Sequence, residues 1–168
     1  MDIHFSTAPC VLGRVLVAMS ERGICAILLG EDAAGLTREL RLRFPEAVLR
    51  EAGSELAERV AAFIAHPAIG LDAPLDLRGS EFQQLVWRAL QEIPVGSTET
   101  YGEVAARIGE PGAAKEVGEA CAANVLAVAV PCHRVVRNDG GLAGYRWGVR
   151  RKRALLLSEG ALTDLFEA

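Results

Sequence analysis

Thr100–Asn124, TYGEVAARIGEPGAAKEVGEACAAN, divides into two helical stretches separated by Gly109-Glu110-Pro111. Thr100 is a good N-cap, and the helix it opens runs to Gly109. Pro111 opens a second helix over residues 112–123, because proline is tolerated at a helix start but not in its interior. Two short helices on a tight turn have the spacing of a helix-turn-helix. Proteins that never touch nucleic acid share this spacing.

Upstream, Ser80 begins a helix that sets Phe82, Leu85, Val86, Ala89 and Leu90 on one face and ends near Pro94-Val95-Gly96. The first part of the chain reads differently. Apolar or alternating runs at Ile3–Ser6, Leu12–Met19 and Ile24–Leu29 predict a small antiparallel sheet, with Ser20-Glu21-Arg22-Gly23 as a hairpin turn. Asp32 caps a helix that Pro45 stops after Phe44, and Ser54 caps another carrying Leu56, Val60, Phe63 and Ile64. Leu71–Leu77 is extended and leads to the second half. The expectation is an α/β domain over residues 1–78 followed by a mainly α domain over 79–168. A last helix, Val149–Glu159, opens on Arg150, Arg151, Lys152 and Arg153. Cations at a helix start oppose its dipole, so a phosphate or carboxylate partner and a solvated face are both open readings.

With 168 residues and 51% hydrophobic content the chain reads as globular, and charges interrupt its apolar runs short of the roughly 18 residues that span a bilayer. Nothing at its start reads as a signal peptide. Cys10, Cys25, Cys121 and Cys132 are too scattered for a disulfide framework, which points to a reducing cytoplasm. A net charge of −4 argues against bulk electrostatic binding of nucleic acid, so any such contact is local.

Ala129-Val130-Pro131-Cys132-His133-Arg134-Val135-Val136 sets a nucleophile beside a base within an apolar run. A thiol reacts as its thiolate, and His133 and Arg134 supply a proton acceptor and a positive field. A cysteine among apolar residues is more often a small core hydrophobe, and here the flanks reverse that prior. PCHRVV followed by Gly144-Tyr145-Arg146-Trp147-Gly148 closely resembles the active-site segment of the O6-alkylguanine-DNA alkyltransferases, or methylated-DNA–protein-cysteine methyltransferases. Phe82-Gln83-Gln84-Leu85-Val86-Trp87, Thr100-Tyr101 and Ala120-Cys121-Ala122-Ala123-Asn124 fall in the same family's order. The likeness covers most of the chain and is greatest to the bacterial form found as the C-terminal half of the adaptive-response protein.

The resemblance implies a ribonuclease H-like N-terminal domain and a winged-helix-like C-terminal domain. It implies a suicide reaction without a cofactor, in which Cys132 takes the alkyl group from O6 of a guanine in double-stranded DNA. His133 would accept the thiol proton, Glu159 would hold the imidazolium, and Tyr101 would donate to the departing guanine. Asn124 would be a hinge tying the helix pair to the active-site turn. The carbonyls of Cys132 and Val135 and the amides around Tyr145 and Arg146 would read the base, with Trp147 at the pocket mouth. Ala114, Lys115, Gly118 and Arg134 would meet the DNA, the second helix lying in the minor groove, and the protein would act as a monomer.

Three features depart from the family. Lys115 stands where an arginine usually enters the space left by the flipped base, which weakens that support by about 1 kcal/mol. Glu116 and Glu119 lie on the same helix, and Glu119 is spaced to pair with Lys115. Ser20 replaces a ligand of the structural zinc found in some members, and Cys10, Cys25, His4 and His66 lack a tight ligand spacing, so no metal is expected. These departures keep two alternatives open: a small or single-stranded alkyl donor, and a lesion-binding or regulatory module. Arg146 and Trp147 predict a preference for methyl over bulky groups.

Overall fold

The structure, a computed structural model, describes residues 1–142 and 144–162. It divides into two units, Met1–Arg78 with Val125–Ala127, and Gly79–Asn124 with Val128 onward.

In the first unit β1 (Asp2–Cys10), β2 (Gly13–Ser20) and β3 (Gly23–Gly30) form an antiparallel meander. β4 (Val48–Glu51) adds to the free side of β1 in parallel, giving the order β3-β2-β1-β4. α1 (Ala33–Arg43) packs on β2 and β3, and α2 (Glu55–Ala65) on β1 and β2. Their apolar stripes, Leu36 and Leu40 on one and Ala57, Val60, Phe63 and Ile64 on the other, are buried with nearly all of β3. Asp32 caps α1 by accepting from the Gly35 N–H at 2.7 Å. Ser54 makes no such bond, and its hydroxyl turns to Glu58 Oε1 at 3.1 Å instead.

The outer edge of β3 is covered by two short segments. The Ile24 N–H donates to Pro74 O and the Asp76 N–H to Ile24 O; further along, the Ile27 N–H donates to Val125 O and the Ala127 N–H to Ile27 O. An unpaired strand edge is a template for association, and these segments remove it. At the turn, a Cβ on Gly23 would lie 2.5 Å from Pro74 O, so only glycine lets the segment approach. A buried polar cluster fastens the same place: Ser20 Oγ donates to Asp76 Oδ2 at 2.6 Å and Arg78 Nε donates to it at 2.7 Å. Ser20, where the family resemblance sets a metal ligand, is therefore committed to a carboxylate. Among the described residues no group of three or more metal-binding side chains converges.

The second unit contains α3 (Glu81–Gln91), α4 (Tyr101–Arg107), α5 (Ala114–Ala123) and α6 (Val149–Glu159). Ser80 with Gln83, and Thr100 with Glu103, form reciprocal capping boxes that start α3 and α4. The buried face of α3 is Val86, Trp87, Ala89 and Leu90, whereas Leu85, expected on that face, is 44% exposed. Trp87 Nε1 donates to Ala120 O at 2.9 Å and so joins α3 to α5. α5 begins at Ala114, two residues later than its sequence suggests, with no side-chain cap. β5 (Glu99–Thr100) pairs in parallel with β6 (Val135–Val136), which sets the start of α4 beside the PCHRVV segment. Arg107 closes this region by bonding Glu92, Glu99 and the Ala89 carbonyl.

Asp76→Ala would take from the buried Ser20 hydroxyl its shorter acceptor, leaving Gly23 O at 3.2 Å, and would leave Arg78 without its partner. The expected loss is on the order of 2 kcal/mol of unfolding free energy in urea, against a few tenths for Asp72→Ala at the surface.

Candidate active site

Cys132–Arg134 form a single 3-10 turn whose three residues are buried. The chain reaches it through Val128, at φ 68°, a left-handed conformation that costs a β-branched residue about 1–2 kcal/mol. Asn124, the C-cap of α5, secures the approach. Its Nδ2 donates to Val130 O at 3.0 Å and to Cys132 Sγ at 3.3 Å, so one buried amide orients both backbone and sulfur.

His133 and Glu159 side chains are 0% exposed, with Nε2 2.8 Å from Glu159 Oε2. Burial alone would raise the Glu159 pKa, but hydrogen bonds from His133 and Arg134 bring it down to about 2. An ionised carboxylate only accepts, so Nε2 carries the proton and donates. Burial pushes the His133 pKa down, partly opposed by Glu159, which leaves a neutral ring with a bare Nδ1. That Nδ1 has no hydrogen-bond partner among the described residues and is free to take a proton. Cys132 is its neighbour in sequence. Burial pushes the Cys132 thiol up, and Asn124, Lys152 and Arg146 pull against that. The resting sulfur is a thiol that needs a base.

Cys132 opens into a cavity of about 230 Å³ lined by Tyr101, Gly118, Cys121, Ala122, Gly144, Tyr145 and Arg146. Burial and the nearby Cys121 and Cys132 push the Tyr101 phenol up to about 12, so it stays a proton donor. Its OH lies 3.7 Å from where a Cβ on Gly144 would sit, and Gly144 at φ 85° keeps that side open. The Tyr145 hydroxyl is buried and has no partner among the described residues. A thiol and a neutral phenol on one small cavity, with a neutral imidazole next in sequence to the thiol, suit nucleophilic displacement with protonation of the leaving group.

Lys152 is the functional residue that the sequence reading overlooked. Its side chain is fully buried, and Nζ donates to Val135 O at 2.6 Å and Gly144 O at 3.2 Å. It ties Gly144, which lines the cavity, to Val135 of β6, and its charge pulls against the burial of the Cys132 sulfur. The signal was its spacing with Leu155 and Leu156 on one helical face. Cys121 was given no role of its own, yet it lines the cavity one turn after Gly118.

Two expected positions need correction. Arg134, expected at DNA, is sealed inside: Nε and Nη2 bond the Glu159 carboxylate at 2.9 and 3.1 Å, and Nη1 donates to Ile93 O at 2.7 Å. Trp147, expected at the pocket mouth, is 6% exposed and does not line the cavity; it packs edge-on against Tyr145 at 5.3 Å. Val135 and Asn124 also lie outside the lining, the first with its carbonyl already accepting from Lys152. Lys115, Glu116 and Glu119 are exposed on α5, and among the described residues Lys115 and Glu119 do not pair. Ala114 borders a second hollow with Tyr101, Gly102, Arg137, Asn138 and Asp139.

A family model described as 6-O-methylguanine DNA methyltransferase, DNA binding domain, matches residues 81–161. A methylated-DNA–protein-cysteine methyltransferase of Methanosarcina acetivorans is 39% identical over 152 residues, 86% of this chain and 97% of that protein. The chain belongs to the methylated-DNA–protein-cysteine methyltransferase family. The bifunctional transcriptional activator/DNA repair enzyme Ada of Escherichia coli is 52% identical over 162 residues. That match takes in 95% of this chain but 46% of Ada, so the chain spans about half of that relative. Among solved members of the methyltransferase family, Mycobacterium tuberculosis OGT in complex with DNA superposes with a TM-score of 0.76 at 36% identity, covering 98% of each chain. A Pyrococcus kodakaraensis methyltransferase shares the fold at 24% identity, with a TM-score of 0.75 over 94% of this chain and 99% of that one. The likeness supports an α/β portion with a small sheet and a helical portion. No described helix is long and apolar enough to cross a membrane.

The Glu159 carboxylate ties acid stability to the site. A folded pKa below the unfolded value stabilises above the unfolded value and loses that stabilisation as pH falls through the folded one. The stability gap between wild type and Glu159→Gln should be widest near neutrality, on the order of 3 kcal/mol, and should close between about pH 4.5 and pH 2. Urea unfolding of both proteins across that range checks it.

Proposed function

We propose that this chain repairs DNA by moving the alkyl group from O6 of a guanine to Cys132, irreversibly and once per molecule. The observation that carries the reading is the thiol of Cys132 at the floor of a cavity, next in sequence to a buried neutral histidine whose other nitrogen is held by an ionised glutamate. His133 takes the thiol proton, through a water where the ring does not reach. The sulfur attacks the alkyl carbon as the carbon–O6 bond breaks. The electron pair returns to the guanine and Tyr101 supplies the proton that neutralises the base; the proton held by the imidazolium then restores the phenol through solvent, so the net transfer is one alkyl group to sulfur and the thiol's proton to guanine.

A guanine must leave the stack to reach the cavity, at a cost of a few kcal/mol. We place α5 in the minor groove with Ala114 and Gly118 facing the duplex and Lys115 in the vacated space. The Mycobacterium tuberculosis relative, solved in complex with DNA, supports DNA as partner, and we take the double-stranded form. Within the cavity the carbonyls of Cys132 and Val135 and the amides around Tyr145 and Arg146 would read the base. Val135 O keeps one lone pair beyond the bond from Lys152. We also assign the finer fold by family: ribonuclease H-like for the first unit and winged-helix-like for the second. Four free cysteines fit a reducing cytoplasm, and we expect a monomer.

Intact mass after incubation with a duplex carrying one O6-methylguanine tests the reading. Wild type should gain one methylene mapped to Cys132, and Cys132→Ala should gain nothing. Transfer from free O6-benzylguanine without transfer from the duplex would turn the chemistry toward a small donor. Lys115→Arg should speed transfer from DNA about fivefold if lysine supports the flipped state less well by about 1 kcal/mol.

A further inference from the structure

We infer that Arg134 is a positioning residue of the alkyl transfer: by dividing the Glu159 carboxylate with His133, it limits how firmly that carboxylate holds the imidazolium once His133 has taken the thiol proton. This rests on the alkyl-transfer reading and adds a residue to its proton path. An ionised carboxylate offers about four lone-pair sites. Glu159 Oε2 accepts from His133 Nε2 at 2.8 Å and from Arg134 Nη2 at 3.1 Å, and Oε1 accepts from Arg134 Nε at 2.9 Å. Arg134 thus makes two of these three bonds, and His133 shares the one oxygen it reaches. The guanidinium is held in place. Its side chain is 7% exposed, and Nη1 donates to Ile93 O at 2.7 Å, just beyond the end of α3.

In a pair made of one carboxylate and one histidine, the acid acts on the ring with its whole charge and makes it a stronger base. Here a guanidinium, which keeps its proton in proteins, is bonded to the same acid, and its charge opposes a second one on the ring. Lys152 of α6 also opposes protonation of the ring. The neutral Cys132 precedes it in the chain, and the neutral Tyr145 lies edge-on to it with 6.4 Å between ring centroids. α3, which packs on this turn, brings no charge among its buried residues. The proton path needs two properties of His133: a neutral ring to receive the thiol proton, and an imidazolium that gives it up again. A carboxylate that served His133 alone would work against both, and Arg134 divides it.

The test is the pH dependence of single-turnover methyl transfer from saturating O6-methylguanine duplex, in wild type, in Arg134→Gln, which removes the charge, and in Arg134→Lys, which keeps the charge but not the two-pronged bond. The neutral ring is the competent form, so the rate falls on the acid side as the ring protonates. Without the cation the ring protonates at higher pH. The acid limb of Arg134→Gln should therefore move toward neutrality, so that the ratio of wild-type to variant rate is about threefold or more larger at about pH 5.5 than at about pH 8. Arg134→Lys should move it in the same direction by less. A rate lowered by one factor at every pH marks a structural role alone and overturns the inference, as does a limb that moves to more acid pH. Should Arg134→Gln fail to fold, an unmoved limb in Arg134→Lys overturns it equally. A wild type that transfers no methyl to Cys132 overturns the alkyl-transfer reading itself; the NMR titration of the His133 ring without DNA then still decides whether Arg134 weakens the hold of Glu159, and an identical titration in wild type and variants says that it does not.

Discussion

The Glu159 carboxylate, closed off from water and shared between His133 and Arg134, is the interaction on which the rest of the site depends. It accepts three hydrogen bonds, which compensate its desolvation and hold it ionised. Because it is ionised it fixes which imidazole nitrogen carries the proton. Because Arg134 also donates to Ile93 O, the same carboxylate joins the end of α6, the active-site turn and the segment after α3. Removing it would strand a guanidinium and a histidine in the interior, which is why a residue that looks solvated in the sequence has structural as well as chemical weight.

Around Cys132 two opposing effects set the chemistry. Burial favours the neutral thiol, while Asn124, Lys152 and Arg146 favour the thiolate. Burial prevails at rest, so the sulfur is guarded and its activation needs a base. The thiol form is spared the side reactions of a permanently ionised cysteine, which reacts with any electrophile it meets. Tyr101 and His133 are each held in their neutral forms by burial, the first as a phenol in the cavity wall and the second as an imidazole next in sequence to Cys132.

Much of this was legible locally. Thr100 and Asp32 are caps with side-chain bonds to their own helices, and Ser20–Gly23 is a hairpin turn, because each is decided by a few adjacent residues. Long-range pairing was not legible. β4 pairs in parallel with β1 yet shows no clean alternation, and Val125–Ala127 is lost within an apolar run although it docks on β3. The site divides the same way. Cys132, His133, Tyr101, Asn124 and Glu159 were singled out through a family pattern rather than from their own neighbours. Arg134 and Trp147 were assigned to surfaces because a sequence does not say which side of a turn faces inward. Lys152 was hidden inside a basic run, where three charged neighbours made a fully buried lysine look solvated.

The most direct measurement of the central claim is the stoichiometry of repair: guanine restored per protein molecule in the presence of excess O6-methylguanine duplex, followed to completion. The account predicts a plateau at one equivalent, with every protein molecule carrying its methyl group on Cys132. A count that keeps rising past one equivalent, or a plateau at one with the methyl group on another residue, would contradict it.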